Sequence, residues 1–416
     1  MKKFLFLSFY LFLSALSAAE ITLDECIEKA LKNHPDIKRL SLSVAKSRSF
    51  VDIAKADYLP QINLNAEYNP INTFVMPQNS QFNTIENESY KVSAQLNQKI
   101  YDFDKTASTV KAYEKEQNRA DMTLQDAKAL LVYNVKNYYN LALLQSKALK
   151  ARQKDIQTKE ELYKQSLALL KEGLKTEADA SSILSALYIA QDNLAITHSE
   201  LKKALSSLSL YTGEEIDEKS VLKESHPPKE QNGRTLTQNI LEKNFSLKGS
   251  KEEIQRDALL YEATKAANYG SIDAVASYTH QDTLNEYDTS LVGVMLNIPI
   301  YSGGRISAQS QQAKISKEMA KESYNAQKLL LEEEVSDLLI DLERYRHTIK
   351  AKEALIASAM ATKSIVEGRY KEGLSTYIEL LDAASVHLYA ELGLLEAKFA
   401  INNTINRLEY LQGELQ

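Results

Sequence analysis

The sequence predicts a mainly α-helical protein with a smaller β part, a tandem duplication in which each half runs helix, strand, strand, long helix, long helix. Three observations carry this. Only 12 glycines and 7 prolines punctuate 416 residues, well under the roughly 7% and 5% of average usage, so turns are few. Residues recur at a constant offset of 200 positions: Leu96, Asn97, Ile100 and Tyr101 return as Leu296, Asn297, Ile300 and Tyr301, and Lys171-Glu172-Gly173-Leu174 returns as Lys371-Glu372-Gly373-Leu374. Two runs, Asp104 to Glu172 and Arg305 to Glu372, contain no proline and would each be on the order of 100 Å long as one continuous helix.

The chain opens with Lys2 and Lys3, an apolar run from Phe4 to Leu16 and the small residues Ser17, Ala18 and Ala19, the pattern of a secretory signal (residues 1–19) cleaved after Ala19. That run is too short for the roughly 20 residues of a spanning helix. The first repeat is placed at 20–213. Leu23 to Lys55 reads as a helix ended by Pro60. Strands follow over about 61–68, with Ile62, Leu64, Ala66 and Tyr68 on one face, and about 90–100, with Tyr90, Val92, Ala94 and Leu96 on one face. A helical hairpin fills 102–212. Residues 214–234, with His226-Pro227-Pro228 amid charges, form a linker between the repeats.

The second repeat, 235–416, restarts with a helical pattern from Leu236 to Lys248. Its strands are placed at about 271–279 and 288–300, where Ile272, Ala274, Ala276 and Tyr278, then Val292, Val294, Leu296 and Ile298, alternate with mostly polar residues. Its hairpin fills 304–412. The polar loops between strands run from Asn69 to Ser89 and from His280 to Glu286. Four strands of about 9 to 11 residues with one apolar face fit a membrane barrel wall, and the same alternation fits a soluble half-buried sheet.

The long helices turn sharply at their far ends. Gly173 and Gly373 suit the left-handed residue that stops a helix, while Thr176 and Thr376 suit the N-cap of the next. Asp179 and Glu379 complete capping boxes. Leucines at 3–4 spacing, Leu187, Leu194, Leu201, Leu205 and Leu208, then Leu381, Leu388, Leu392 and Leu395, give the packing stripe of a coiled-coil-like hairpin.

Composition excludes several functions. Lys+Arg is 50 against Asp+Glu 56, a formal charge of -6, so no basic surface is offered to nucleic acid. The single cysteine, Cys26, allows no intrachain disulfide and no thiolate metal cage. Thr22-Leu23-Asp24-Glu25 before it lacks the small apolar residues of a lipidation site. The six histidines are scattered without helical ligand spacing, and Gly303-Gly304 is too weak a signal for a phosphate loop. No metal, cofactor or catalysis is expected.

A barrel in lipid leaves no free edge, because each unsatisfied backbone group there costs several kcal/mol. Closed outer-membrane barrels use about eight strands or more, so four strands in lipid require several copies of the chain. At this point the sequence resembles the TolC-like outer-membrane efflux protein family. The resemblance rests on Leu296-Asn297-Ile298-Pro299-Ile300-Tyr301-Ser302-Gly303-Gly304-Arg305 at a strand-to-helix turn, on Arg369-Tyr370-Lys371-Glu372-Gly373 followed by Glu379-Leu380-Leu381-Asp382-Ala383, and on Leu59-Pro60 before the first strand.

It implies a homotrimer in the bacterial outer membrane, a 12-stranded barrel continuous with a periplasmic α-helical barrel. It also implies a passive exit duct serving a periplasmic adaptor protein and an inner-membrane pump, in tripartite efflux or type I secretion. By resemblance, the gate tyrosine falls on Tyr370, its acidic partner on Asp179 and the ring acids of the entrance on Glu379 and Asp382. The adaptor-facing tips fall on Gly173, Leu174, Thr176, Gly373, Leu374 and Thr376. The family's basic gate residue falls on Ser375, so Lys175 or Arg369 would have to replace it.

Two further departures are Gly270-Ser271 in place of a proline and Asp102-Phe103-Asp104 in place of Gly-Gly. The caps alone would explain Asp179 and Glu379, and packing alone would explain Tyr370. A soluble periplasmic coiled-coil scaffold or adaptor is the competing function, sharing the hairpins but needing no strands with a lipid-facing stripe. The exported cargo is not encoded in any of these features.

Overall fold

Local signals set the elements of the chain, whose computed structural model describes residues 20–70, 72–75, 83–86, 89–218, 220–224, 233–282 and 286–414. The signal segment, and the parts of the interstrand loops and the linker between these ranges, lie outside the described residues. In order the elements are β1 (Glu20–Ile21), α1 (Leu23–Asn33), α2 (Pro35–Ala56), β2 (Gln61–Asn69), β3 (Asn72–Val75), β4 (Asn83–Glu86), β5 (Ser89–Tyr101), α3 (Lys105–Lys171), α4 (Glu177–Thr212), β6 (Val221–Leu222), α5 (Gly233–Lys243), α6 (Phe245–Ala266), β7 (Ser271–Asp282), β8 (Glu286–Asn297), α7 (Arg305–Lys371) and α8 (Tyr377–Leu411).

Several elements differ from the sequence expectation. The single helix expected from Leu23 to Lys55 is broken at His34, whose ψ of 124° is extended. The residue before a proline is pushed out of the α region, and Pro35 then opens α2, where its missing N–H costs nothing. The restart expected from Leu236 to Lys248 is likewise divided: Asn244 stands between α5 and α6 and caps α6, its side chain accepting from Leu247 N at 3.0 Å. The strand expected to reach residue 300 ends at Asn297, and the one expected to end at 279 continues to Asp282. The loop expected from Asn69 to Ser89 contains the antiparallel pair β3–β4. The linker contributes β6, parallel to β1.

The chain divides into two compact units. The first comprises Lys38–Asp126 and Leu241–Leu331. Its antiparallel sheet has the order β2-β5-β7-β8, with Ile62↔Leu96, Leu96↔Ala276 and Ala276↔Val292 in register. Partners in register share a face, so the apolar residues form one continuous surface and Asn65, Ser93, Thr279 and Thr289 line the other. The apolar surface is bare: Leu64 is 74% and Val292 88% exposed.

The helices of this unit follow the same order. Lys55 pairs with Glu114 at 3.3 Å between α2 and α3, and Arg256 with Glu116 at 2.7 Å between α6 and α3. Ser250 meets Gln327 at 2.5 Å between α6 and α7. Helices α2-α3-α6-α7 thus match strands β2-β5-β7-β8, and the outer elements of both layers carry the open edges.

Strand passes to helix through left-handed residues. In the second repeat these are Gly303 and Gly304, with φ of 62° and 80°; in the first they are Phe103 and Asp104, with φ of 56° and 66°. Asp102 secures the first turn by accepting from Thr106 N at 2.9 Å and Thr106 Oγ1 at 2.5 Å.

The other unit holds the described residues up to Ile37, with Ala127–Ile240 and those from Glu332. Here α3 packs on both α4 and α8, through Ile156 with Leu187 and Ala190, and through Ala148 with Leu388 and Leu392. Lys136 pairs with Glu409 at 2.8 Å, and Arg407 joins α8 to Glu334 of α7 at 2.6 Å.

Tyr139, wholly buried, sets its hydroxyl 2.8 Å from the Ile21 carbonyl and 2.7 Å from that of Lys223. It thereby holds β1 beside β6. Cys26 is buried on α1, and burial pushes its thiol up to about 11.

Candidate functional site

The two hairpin tips are built alike. Beyond α3, Gly173 takes φ +71, and its N–H donates to Leu170 O at 3.0 Å while that of Leu174 donates to Leu169 O at 2.9 Å. Beyond α7, Gly373 takes φ +73, with the corresponding bonds to Tyr370 O at 3.0 Å and Arg369 O at 2.8 Å. Both are 6→1 and 5→2-type closures of the last helical turn, which favour a left-handed glycine. Thr176 and Thr376 then cap α4 and α8, each in a full capping box with Asp179 and Glu379. Leu174 and Leu374 are left exposed on the tips.

The four residues expected at the gate fall into two pairs. Tyr370 is half-buried against Leu162, Ile183 and Leu380, and burial, then the charge of Asp179, raises its phenol above the ordinary range. Lys175 lies over its ring at 5.8 Å from the centroid. Asp179 accepts from Thr176 N at 3.0 Å, and that backbone bond, with Lys175 adding to it, holds the carboxyl below the usual range. Tyr370, Asp179 and Lys175 are therefore one cluster.

Glu379 and Asp382 belong to a separate groove of about 390 Å³ between α7 and α8, lined also by Arg369 and Ser375. Both acids are exposed. Glu379 is held below the usual carboxylate range first by the Ser375 hydroxyl, then by the Thr376 N–H and the Arg369 charge. Arg369 also donates to Leu374 O at 3.2 Å.

The two cations named as replacements for the basic residue at 375 are thus divided between the pairs, Lys175 with Tyr370 and Asp179, Arg369 with Glu379. The hydroxyl of Ser375 itself turns to Glu379, a contact no spacing argument foresaw. Among the described residues no group of three or more His, Cys, Asp or Glu side chains converges as a metal site, and no helix is long and apolar enough to cross a membrane.

A bare apolar sheet whose strands continue into a layer of long helices defines an outer-membrane channel with a helical extension. Residues 26–214 and 236–414 match the family described as "Outer membrane efflux protein", and the chain belongs to that family. It is 24% identical over 420 residues to the outer membrane protein TolC of Escherichia coli K12, covering 95% of this chain and 82% of that one. It is 25% identical over 425 residues to the outer membrane efflux protein BepC of Brucella suis biovar 1, covering 97% and 89%.

The crystal structure of the Campylobacter jejuni CmeC outer membrane channel superposes with a TM-score of 0.83 at 18% identity, covering 94% of this chain and 85% of that one. The fold is that of the TolC family, and the protein is an outer-membrane efflux channel. The family is one of channels, not of enzymes, and membership in it leaves the soluble scaffold reading without support.

Proposed function

We propose that three copies of this chain close one conduit, the exit duct of a tripartite efflux or type I secretion system, in which an adaptor and an inner-membrane pump deliver cargo. The observation that supports this reading is the common order of strands and helices, which leaves the same open edges, β2 with α2 and β8 with α7, in both layers. An edge in lipid must be paired, and a neighbouring copy offers β8 to β2. Four strands from each of three copies make a wall of twelve, within the range of closed outer-membrane barrels. In this reading the repeats span 20–213 and 235–416, joined by 214–234. Detergent-corrected light scattering should give the mass of three protomers, confined to the detergent extract; a soluble monomer or dimer overturns the proposal.

The tips would face the adaptor, with Leu174 and Leu374 as the apolar contacts and Gly173, Gly373, Thr176 and Thr376 shaping them. Tyr370 with Asp179 would narrow the entrance, while Glu379 and Asp382, repeated around one axis, would favour cations there. Removing the charge and hydroxyl together, Tyr370→Phe with Asp179→Asn, is expected to raise single-channel conductance in planar bilayers. Asparagine retains a capping oxygen, so the hairpin keeps its turn. Unchanged conductance would remove both residues from the gate.

A further inference from the structure

The helices of the two repeats can be laid over one another residue by residue. Helix α6 matches α2 at a constant offset of 210 positions, each 22 residues long, and α7 matches α3 at 200, each 67 residues long. In the first repeat Phe50 of α2 stacks on Tyr113 of α3, with ring centroids 6.2 Å apart and planes inclined by 23°. The Lys46 ammonium stands over the Phe50 ring, 5.8 Å from its centroid. The matching positions of the second repeat hold Leu260, Ala313 and Arg256. Both rings are replaced by smaller side chains, while the cation is kept.

Space stands where the rings would be. Leu260 and Ala313 line a groove of about 620 Å³ between α6 and α7, with Lys105 and Thr109 of α3 on its other side. That volume falls within the roughly 300–1,000 Å³ of ordinary ligand sites. Ala263, on the same floor, stands where α2 has Ile53, so the enlargement is drawn from several positions. Ion pairing and hydrogen bonding set α6 between α3 and α7 of its own copy. A neighbouring copy joined at the open edges, α2 and α7, therefore does not supply the missing rings.

The two ends of the groove differ in charge. At the end away from the sheet, Arg256 is held by Asp257 and by Glu116, each at 2.7 Å, which fixes its guanidinium and offsets its charge. At the end nearer the sheet, Lys105, the first residue of α3, brings an ammonium and Gln309 of α7 an amide.

We propose that the groove between α3, α6 and α7 binds an aromatic organic anion. Its ring would lie against Leu260 and Ala313 beside the Arg256 guanidinium, as the Phe50 ring lies beneath Lys46, a cation–π arrangement. Its acid group would meet the Lys105 ammonium in a charge-assisted contact. The site lies within one copy and does not depend on how copies assemble.

Naphthalene-2-sulfonate is the probe, measured by equilibrium dialysis of the detergent-extracted full chain with the same detergent in both chambers. Saturable uptake is expected. Leu260→Phe with Ala313→Tyr rebuilds the pair of the first repeat in the groove and should abolish it. Lys105→Gln should weaken the affinity about tenfold, the order of one charge-assisted contact. Absence of saturable uptake by the unaltered protein, or uptake unchanged after the groove is filled, overturns the site. Uptake lost on filling but unchanged in Lys105→Gln overturns the assignment of an anion. Should the double variant not assemble, Ala313→Tyr alone carries the same expected loss and the same refuting result.

Discussion

Replacing Gly270 with alanine is expected to prevent assembly of the channel. Gly270 takes φ +86, and a Cβ there would stand 1.9 Å from the Asn297 carbonyl oxygen and 3.0 Å from Ile298 Cα. Both obstacles are backbone, so no side-chain rotation relieves them. Ser271 and Asn297 form the last pair of β7 with β8, and relief would pull these strands apart at the end where they lead into helices. Together, left-handed strain and the clash place the substitution above about 4 kcal/mol, the range reserved for gross disruption.

Gly373→Ala is the control: its φ is +73 but nothing lies within 4 Å of the new carbon. It should cost only about 1–2 kcal/mol, the strain of the conformation. Thermal dissociation of the detergent-extracted protein, followed by gel mobility, separates the two. Normal assembly of Gly270→Ala would refute the geometry. Proline, locked near φ −65°, could not occupy the left-handed position that Gly270 takes.

The second large effect is expected at Tyr139. Phenylalanine there leaves the carbonyls of Ile21 and Lys223 without the hydroxyl that joins them, a part-buried contact worth about 0.5–1.5 kcal/mol net. Alanine adds the cavity of a fully buried ring, bringing the total to about 3–5 kcal/mol. Hydrogen exchange should therefore quicken at β1 and β6 in Tyr139→Phe. In Tyr139→Ala the melting temperature should also fall. Lys223 N–H still donates to Ile21 O at 3.2 Å, so the strand pair is expected to loosen rather than separate in the first variant. Protection unchanged in both variants would show that the hydroxyl does not hold the segment.

What the sequence made legible and what it hid follow from the range of the interactions. Hairpin tips are local: Gly173, Thr176 and Asp179 lie within seven positions of one another, and each residue type has a backbone reason to be there. The strand faces were legible because alternation repeats over many residues. The break at His34 is also local, written in Pro35, which pushes the residue before it out of the α region.

Other features had no local signal. Two-residue strands have no period, and β1 meets β6 from the far end of the first repeat; only a buried tyrosine on a third element reveals the pair. Phe103 is a poor predictor of left-handed backbone, so comparison with Gly303 was the available clue. At the entrance, spacing identified the acids but not their partners. Whether Lys175 serves Tyr370 or Glu379 depends on how two hairpins pack, which neither hairpin encodes by itself.

The one-to-one continuation of strands into helices also constrains breadth. Four strands at about 4.8 Å lateral spacing span roughly 19 Å before tilt, whereas four helices at about 8–10 Å between axes span roughly 32–40 Å. The backbone layer therefore has to fan out between one material and the other. That divergence falls on the four short junctions, 57–60, 102–104, 267–270 and 298–304, three of which turn through left-handed residues. Those few positions act as the flare of a nozzle, setting how a narrow wall of sheet opens into a wider wall of rods.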